Sequence, residues 1–155
     1  MPDKKDLKAI VDVAAGRKPA DLLLRNCRIV NVISNEIQTG DIAILGDRIA
    51  AIGTREAAQT IDLGMAYVCP GFIDAHVHIE SSLLNVPEFA RVVAAHGTPA
   101  VVADPHEFAN VMGTEGISFV LRTAKYAPID IFVMLSSCVP ASPLESAGAR
   151  LSAEE

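Results

Sequence analysis

The feature that most restricts the fold is a change of pattern at Pro70-Gly71. Before it, apolar residues come in short runs separated by turn residues. After it, apolar runs alternate with helical periodicity. A chain carrying both patterns is a mixed α/β molecule, with a strand-rich part over 1–70 and a βαβαβ run over 71–155. In the second part, residues 72–79, 100–104 and 129–135 read as strands, apolar enough for a parallel sheet covered on both faces. One helix starts at Pro87, a favoured first helical residue, and ends near His96 with Gly97 behind it. Another runs over 114–126, with Thr114 as N-cap and Ile117, Val120, Leu121 and Ala124 as its buried stripe.

The first part opens with a helix over 4–16, whose apolar stripe is Leu7, Ile10, Val11 and Ala14 and whose stop is Gly16. Short strands follow over 21–25, 27–33, 41–45, 48–52, 60–63 and 65–69. Gly46-Asp47 joins two of them as a two-residue hairpin turn. The expected result is a small sheet or half-sandwich.

Charge and cysteine usage narrow the class. Across 155 residues, 13 Lys and Arg oppose 19 Asp and Glu, a formal charge of −6. An acidic chain without a basic run is a poor partner for nucleic acid or an anionic membrane. No apolar run approaches the roughly 18 residues of a membrane span. The start, Met1-Pro2-Asp3-Lys4-Lys5-Asp6, lacks the apolar core of a signal peptide. Cys27, Cys69 and Cys138 are odd in number and form no C-x-x-C pair, so they read as reduced thiols of a cytoplasmic protein. Nucleotide-phosphate loops and Gly-x-Ser-x-Gly are absent, and no cysteine shows a histidine partner. Leu151-Ser152-Ala153-Glu154-Glu155 reads as an N-cap and acidic first turn with no helix body behind it. The polypeptide is therefore expected to be the front of something longer.

The chemistry concentrates in Pro70-Gly71-Phe72-Ile73-Asp74-Ala75-His76-Val77-His78-Ile79-Glu80. Alternate residues of a strand face one side, so His76 and His78 point together, about 6.5–7 Å apart at Cα. Both imidazoles can then reach one divalent ion. Asp74 and Glu80 share that parity, and Asp74 is placed to orient an imidazole through its second nitrogen. At the end of the second strand, Ala103-Asp104-Pro105-His106-Glu107 brings three metal-competent side chains to the same level. The residues leave two readings of this cluster open: a functional one, because parallel α/β folds build sites at strand C-termini, and a helix-capping one for Asp104 or Glu107. Ser136-Ser137 ends the third strand, where the pair could hydrogen-bond a substrate or simply be loop serines that need no explanation, and His96 complements a helix end.

These motifs carry a resemblance. The Pro70–His78 stretch resembles the opening of the barrel in the amidohydrolase superfamily. Gly40-Asp41-Ile42-Ala43-Ile44 and Gly46-Asp47-Arg48-Ile49-Ala50-Ala51-Ile52-Gly53 resemble its N-terminal β-sandwich segment. Within that superfamily, His78-Ile79-Glu80-Ser81-Ser82 and Ala103-Asp104-Pro105-His106-Glu107-Phe108-Ala109-Asn110-Val111 resemble the bacterial adenine deaminases. The resemblance implies a β-sandwich-like part followed by the first three β/α units of a (β/α)8 metal-dependent hydrolase barrel. It implies conversion of adenine and water to hypoxanthine and ammonia, with one or two divalent ions (manganese, iron or zinc) activating the water. His76 and His78 match the family's first-strand metal ligands. Glu80, His106 and Glu107 match deaminase-specific positions near the metal, and Asp104 lies among them. The substrate would be a small purine, and the full-length protein a homo-oligomer. The family's later ligands and its proton-handling aspartate have no counterpart in these residues, so the catalytic groups are unknown and the 155 residues are expected to be inactive alone. Two alternatives stand beside this reading: a dihydropyrimidinase-like cyclic amidohydrolase, and a non-catalytic metal-binding or assembly module whose open strand edge pairs with another chain.

Overall fold

The computed structural model describes residues 4–152 and 154. Its contacts divide it into two compact units, one ending at Pro70 and the other starting at Gly71. The leading residues Met1–Asp3 and, in the acidic end sequence, Ala153 and Glu155 lie outside the described residues.

Among the described residues, the first unit is one sheet with one helix. Strands β1 (Ala20–Asn31), β2 (Glu36–Leu45), β3 (Arg48–Ile52) and β4 (Ala57–Asp62) lie in the order β3-β2-β1-β4, and the short β5 (Tyr67–Val68) also pairs with β1. Strands β2 and β3 pair with Leu45 opposite Arg48, so Gly46-Asp47 is the two-residue hairpin expected from the sequence. Where separate strands over 21–25 and 27–33 were expected, β1 is continuous and carries a bulge between Leu24 and Cys27. Asn26 sits at the bulge with φ 56°. Its amide N–H donates to Asp41 at 3.0 Å and its side chain to Asp62 at 2.7 Å, contacts that stabilise a left-handed residue. Helix α1 (Lys4–Ala14) buries Asp12 and Val13, while Leu7 and Val11 of the expected stripe stay exposed. The burial of Asp12 follows from its ion pairs with Lys8 and Arg17 at 2.6 and 2.8 Å.

The second unit is a three-stranded parallel sheet in the order β6-β7-β8: β6 (Ile73–Val77), β7 (Ala100–Ala103) and β8 (Asp130–Val133). Helix α2 (Val86–Ala95) connects the first two strands, and α3 (His106–Met112) with α4 (Thr114–Ala124) connects the last two. The core gathers on the central strand. Val101 and Ala103 pack with Ile79, Val86, Phe89, Ala90, Val120 and Ile129. Only β7 is covered as a doubly buried strand should be; Ile73 of β6 and Phe132 of β8 are exposed, because among the described residues neither strand has an outer neighbour.

Local departures have local causes. The strand expected over 72–79 ends at Val77, and Ile79–Ser82 form a 3-10 turn that drives Ile79 into the core. Asn85 caps α2 by accepting from the Glu88 N–H at 3.0 Å, which starts the helix one residue before Pro87. Thr114 is the first residue of α4 rather than its cap; Gly113, at φ 62°, holds the turn between α3 and α4. Leu121 is exposed, and Gly116 takes its place on the buried side of α4.

Candidate metal centre

The site forms where β6 and β7 end. A bulge between Asp74 and Val77 inserts one extra residue into β6 relative to β7. It shifts Asp74 out of the row of His76 and His78, as bulges beside active sites do. An Asp74 carboxylate oxygen accepts from the backbone N–H of His76 at 3.1 Å. Asp74 thus holds the strand of His76 rather than an imidazole ring, unlike the role expected for it.

His76 and His78 converge. Their Nε2 atoms stand 3.2 Å apart, with the rings 5.0 Å apart and nearly perpendicular. His78 Nδ1 lies 2.9 Å from the backbone carbonyl oxygen of Asp104 and 3.4 Å from Glu107 Oε2. A carbonyl only accepts, so Nδ1 carries the proton and, in the neutral ring, Nε2 keeps its lone pair. This carbonyl–imidazole bond is the arrangement that fixes a metal-binding histidine.

The donors fit a divalent ion. Two nitrogens 3.2 Å apart can both sit about 2.0–2.2 Å from one centre. Asp104 joins His76 and His78 in one group whose ligand atoms all lie within 4.8 Å of one another, and Glu80 and Glu107 join His78 in a second. Nitrogen plus carboxylate oxygen suits zinc, iron or manganese better than a soft ion.

The carboxylates are distinguishable by their partners. Asp104 accepts from the hydroxyl of buried Ser136, in the segment that follows β8. Glu107 accepts from Ser81 Oγ at 3.0 Å. Glu80 has left the strand row because the backbone turns at His78, yet the 3-10 turn swings it to α3. There its Oε1 accepts from the backbone N–H of Glu107 at 2.9 Å and, more weakly, of Phe108 at 3.4 Å. Burial, then the hydrogen bond to Glu107, pushes the Glu80 carboxyl above its usual range. Partial burial would also raise Glu107, but its hydrogen bonds from Glu80, its own amide and Ser81, with the nearby His78, hold it below. The caps considered for Asp104 and Glu107 are absent. Pro105 is the N-cap of α3 and offers no side-chain acceptor, so the acceptor arrives from Glu80 instead.

His106 stands with its ring 6.3 Å from that of His78, and its Nδ1 is 3.6 Å from Cys138 Sγ. A cysteine therefore does have a histidine neighbour; 32 residues separate the two, so no local pattern reveals the pair. Ser81 and Ser136 are the other participants missed as such, although both lie in segments already singled out. His96 is the C-cap of α2, away from these contacts.

Comparison with known proteins gives the family. The profile of the amidohydrolase family matches residues 67–155. The adenine deaminase of Desulfatibacillum aliphaticivorans is 51% identical over 146 residues, 94% of this chain and 26% of that protein. The adenine deaminase of Clostridium acetobutylicum is 52% identical over 145 residues, 94% of this chain and 25% of that protein. The chain thus spans about a quarter of the length of these curated relatives. Among solved structures, the L-hydantoinase (dihydropyrimidinase) of Arthrobacter aurescens superposes with a TM-score of 0.57 at 26% identity, covering 74% of this chain and 27% of that one. The N-acyl-D-glutamate deacylase of Bordetella bronchiseptica, solved with zinc, gives 0.58 at 18% identity over 76% of this chain and 30% of that one, a likeness of fold. The parallel unit is accordingly the beginning of a (β/α) barrel, and the chain belongs to the amidohydrolase family.

Proposed function

We propose that the polypeptide to which these residues belong is a metal-dependent adenine deaminase, hydrolysing adenine to hypoxanthine and ammonia. One observation carries this reading: the two segments that bear the deaminase resemblance meet around His78. The Asp104 carbonyl accepts from His78, Ser81 donates to Glu107, and Glu80 accepts from the first amides of α3. Relatives named adenine deaminase, about half identical across nearly all of this chain, support it.

His76 and His78 would hold a divalent ion, manganese, iron or zinc, through their facing Nε2 atoms, with Asp104 and Glu107 as the neighbouring carboxylates. Such an ion, when bound, supplies Lewis acidity and lowers the pKa of water. The chain's own residues prepare for it. The Asp104 carbonyl holds His78 in the tautomer that offers Nε2, and Asp74 pins the backbone that presents His76. Ser136 and Ser81 each give a hydroxyl to a carboxylate and so fix its orientation. We expect the 155 residues alone to release no ammonia from adenine. The substrate is a small purine and not a nucleic acid or membrane surface, in keeping with a charge of −6. We place the full-length enzyme in the cytoplasm as a homo-oligomer.

The test is steady-state ammonia release by the full-length protein with adenine, adenosine and dihydropyrimidines, alongside metal analysis. Turnover of adenine is expected, falling at least roughly 100-fold, with loss of metal, in His76→Ala and His78→Ala. Turnover of dihydropyrimidines without adenine would overturn the substrate. Stoichiometric metal and a normal rate in His76→Ala would overturn the site.

A further inference from the structure

We propose that Glu80 is a positioning residue for this reaction: its Oε1 latches the start of α3 and so sets where His106 and Glu107 stand against His76 and His78. The inference rests on the deaminase reading for its kinetic part only.

The need for a latch is local. The first amides of any α-helix have no partner within the helix, and α3 begins after Pro105, whose side chain offers no acceptor. Glu80 supplies the acceptor from 27 residues away, through 2.9 Å and 3.4 Å contacts to the amides of Glu107 and Phe108. The neighbouring residue closes the latch from the other side, as Ser81 Oγ donates to the Glu107 carboxylate at 3.0 Å. The 3-10 turn after β6 and the first turn of α3 are thereby tied twice, side chain to main chain and side chain to side chain.

The consequence reaches the imidazoles. Glu107 Oε2 stands 3.4 Å from His78 Nδ1, and the His106 ring lies 6.3 Å from that of His78. Both distances are set by where α3 starts. Glu80 could instead serve as a ligand, since one of its oxygens lies within 4.8 Å of donor atoms of His78 and Glu107. Its Oε1, however, already serves two main-chain amides, a use that a neutral amide oxygen of the same reach can replace and a metal ligand cannot.

The two roles separate in the full-length, metal-loaded protein by comparing Glu80→Gln with Glu80→Ala. Three quantities are read: bound metal, hydrogen exchange at the Glu107 and Phe108 amides, and kcat and KM for adenine. Glu80→Gln is expected to keep its metal, the amide protection and a rate within about threefold of the parent, because the acceptor is retained. Glu80→Ala is expected to exchange those two amides at least tenfold faster and to lose roughly 10–100-fold in kcat, the usual cost of removing a group that orients the residues around a metal. Loss of metal in Glu80→Gln would overturn the proposal in favour of direct ligation. Unchanged exchange or an unchanged rate in Glu80→Ala would overturn it as well. Should the parent protein fail to deaminate adenine, the substrate reading falls, while metal content and amide exchange still decide the latch. If Glu80→Ala does not fold, Ser81→Ala removes the second tie and is read in the same way, with unchanged kcat counting against the latch.

Discussion

Gly116 offers a sharp test of how closely the helices behind the site are packed. A methyl group added there would stand 2.3 Å from the carbonyl oxygen of Phe108, 2.5 Å from its carbonyl carbon and 3.1 Å from the amide nitrogen of Ala109. All three belong to the backbone of α3 and cannot rotate away. Ordinary van der Waals contact needs α4 to retreat by about 1 Å, which strips dispersion contacts from Ile117 and Val120, both buried on the same side. Overpacking of this kind costs about 1–3 kcal/mol. Replacing glycine within a helix returns about 0.8–1 kcal/mol of propensity. Because the obstacle is backbone and the approach as short as 2.3 Å, the clash falls at the upper end of that range, about 2–3 kcal/mol, and Gly116→Ala should destabilise the second unit by roughly 1–2 kcal/mol.

The damage should also reach the site, because Phe108 is adjacent to Glu107 and its amide is one of the two that face Glu80. Urea unfolding followed by far-ultraviolet circular dichroism should show a lower midpoint at unchanged slope. Gly40→Ala serves as the control. Its methyl would meet only Ile29 Cδ1, at an unstrained 3.7 Å, so stability should hold or rise slightly. A Gly116→Ala protein as stable as the parent, or more stable, would refute the argument, since the clash would then do no more than cancel the gain in propensity.

Two further outcomes follow from burial and charge. Ile79 is 1% exposed, and truncating it to Ala should cost about 2–5 kcal/mol in urea unfolding, with a cost near zero showing that the 3-10 turn does not plug the core. Hydrogen bonds from Lys8 and Arg17 hold the Asp12 carboxyl below its ordinary value, outweighing its desolvation. A depressed folded pKa means that the stabilisation is present above the unfolded value of about 3.9 and is lost as pH falls through the folded one. The unfolding midpoint should therefore drop on acidification in this window, and Asp12→Asn should flatten that drop; equal slopes in the two proteins would count against it.

Much of the fold was legible because local chemistry and global fold agree. Gly46-Asp47 demands a tight hairpin, and the interruption read at Asn26 is real as a bulge, though the strand continues through it. The parallel order of β6, β7 and β8 followed from apolar strands alternating with helices. Failures occurred where a side chain served a distant backbone. Ile79 prolongs an apolar run and so looks like strand, yet it turns inward to fill the core beside Val86 and Val101. Helix α3 was missed because its opening residues, His106 and Glu107, are polar and Pro105 provides no cap; the stabilising acceptor comes from Glu80. The displacement of Asp74 depends on a register shift between two strands, which one strand's alternation cannot reveal. His76 and His78 were legible for the opposite reason, since their convergence needs only two residues on one extended segment.

The site also divides its work between main chain and side chain. His78 is oriented by the backbone carbonyl of Asp104, His76 is presented by a strand whose amide binds Asp74, and α3 is anchored through its own amides to Glu80. Each of these bonds has one partner that substitution at that position cannot delete. The Asp104 side chain is a separate matter: its carboxylate meets Ser136 while its carbonyl meets His78. Position 104 thus carries two functions on one residue, one insensitive to side-chain identity and one wholly dependent on it. A carboxylate placed there can be tuned by Ser136 without disturbing the tautomer that faces His76. Orientation of the imidazoles is in this way built into the path of the backbone, and the charge around them is left to Asp104 and Glu107, each steadied by a serine from a neighbouring segment.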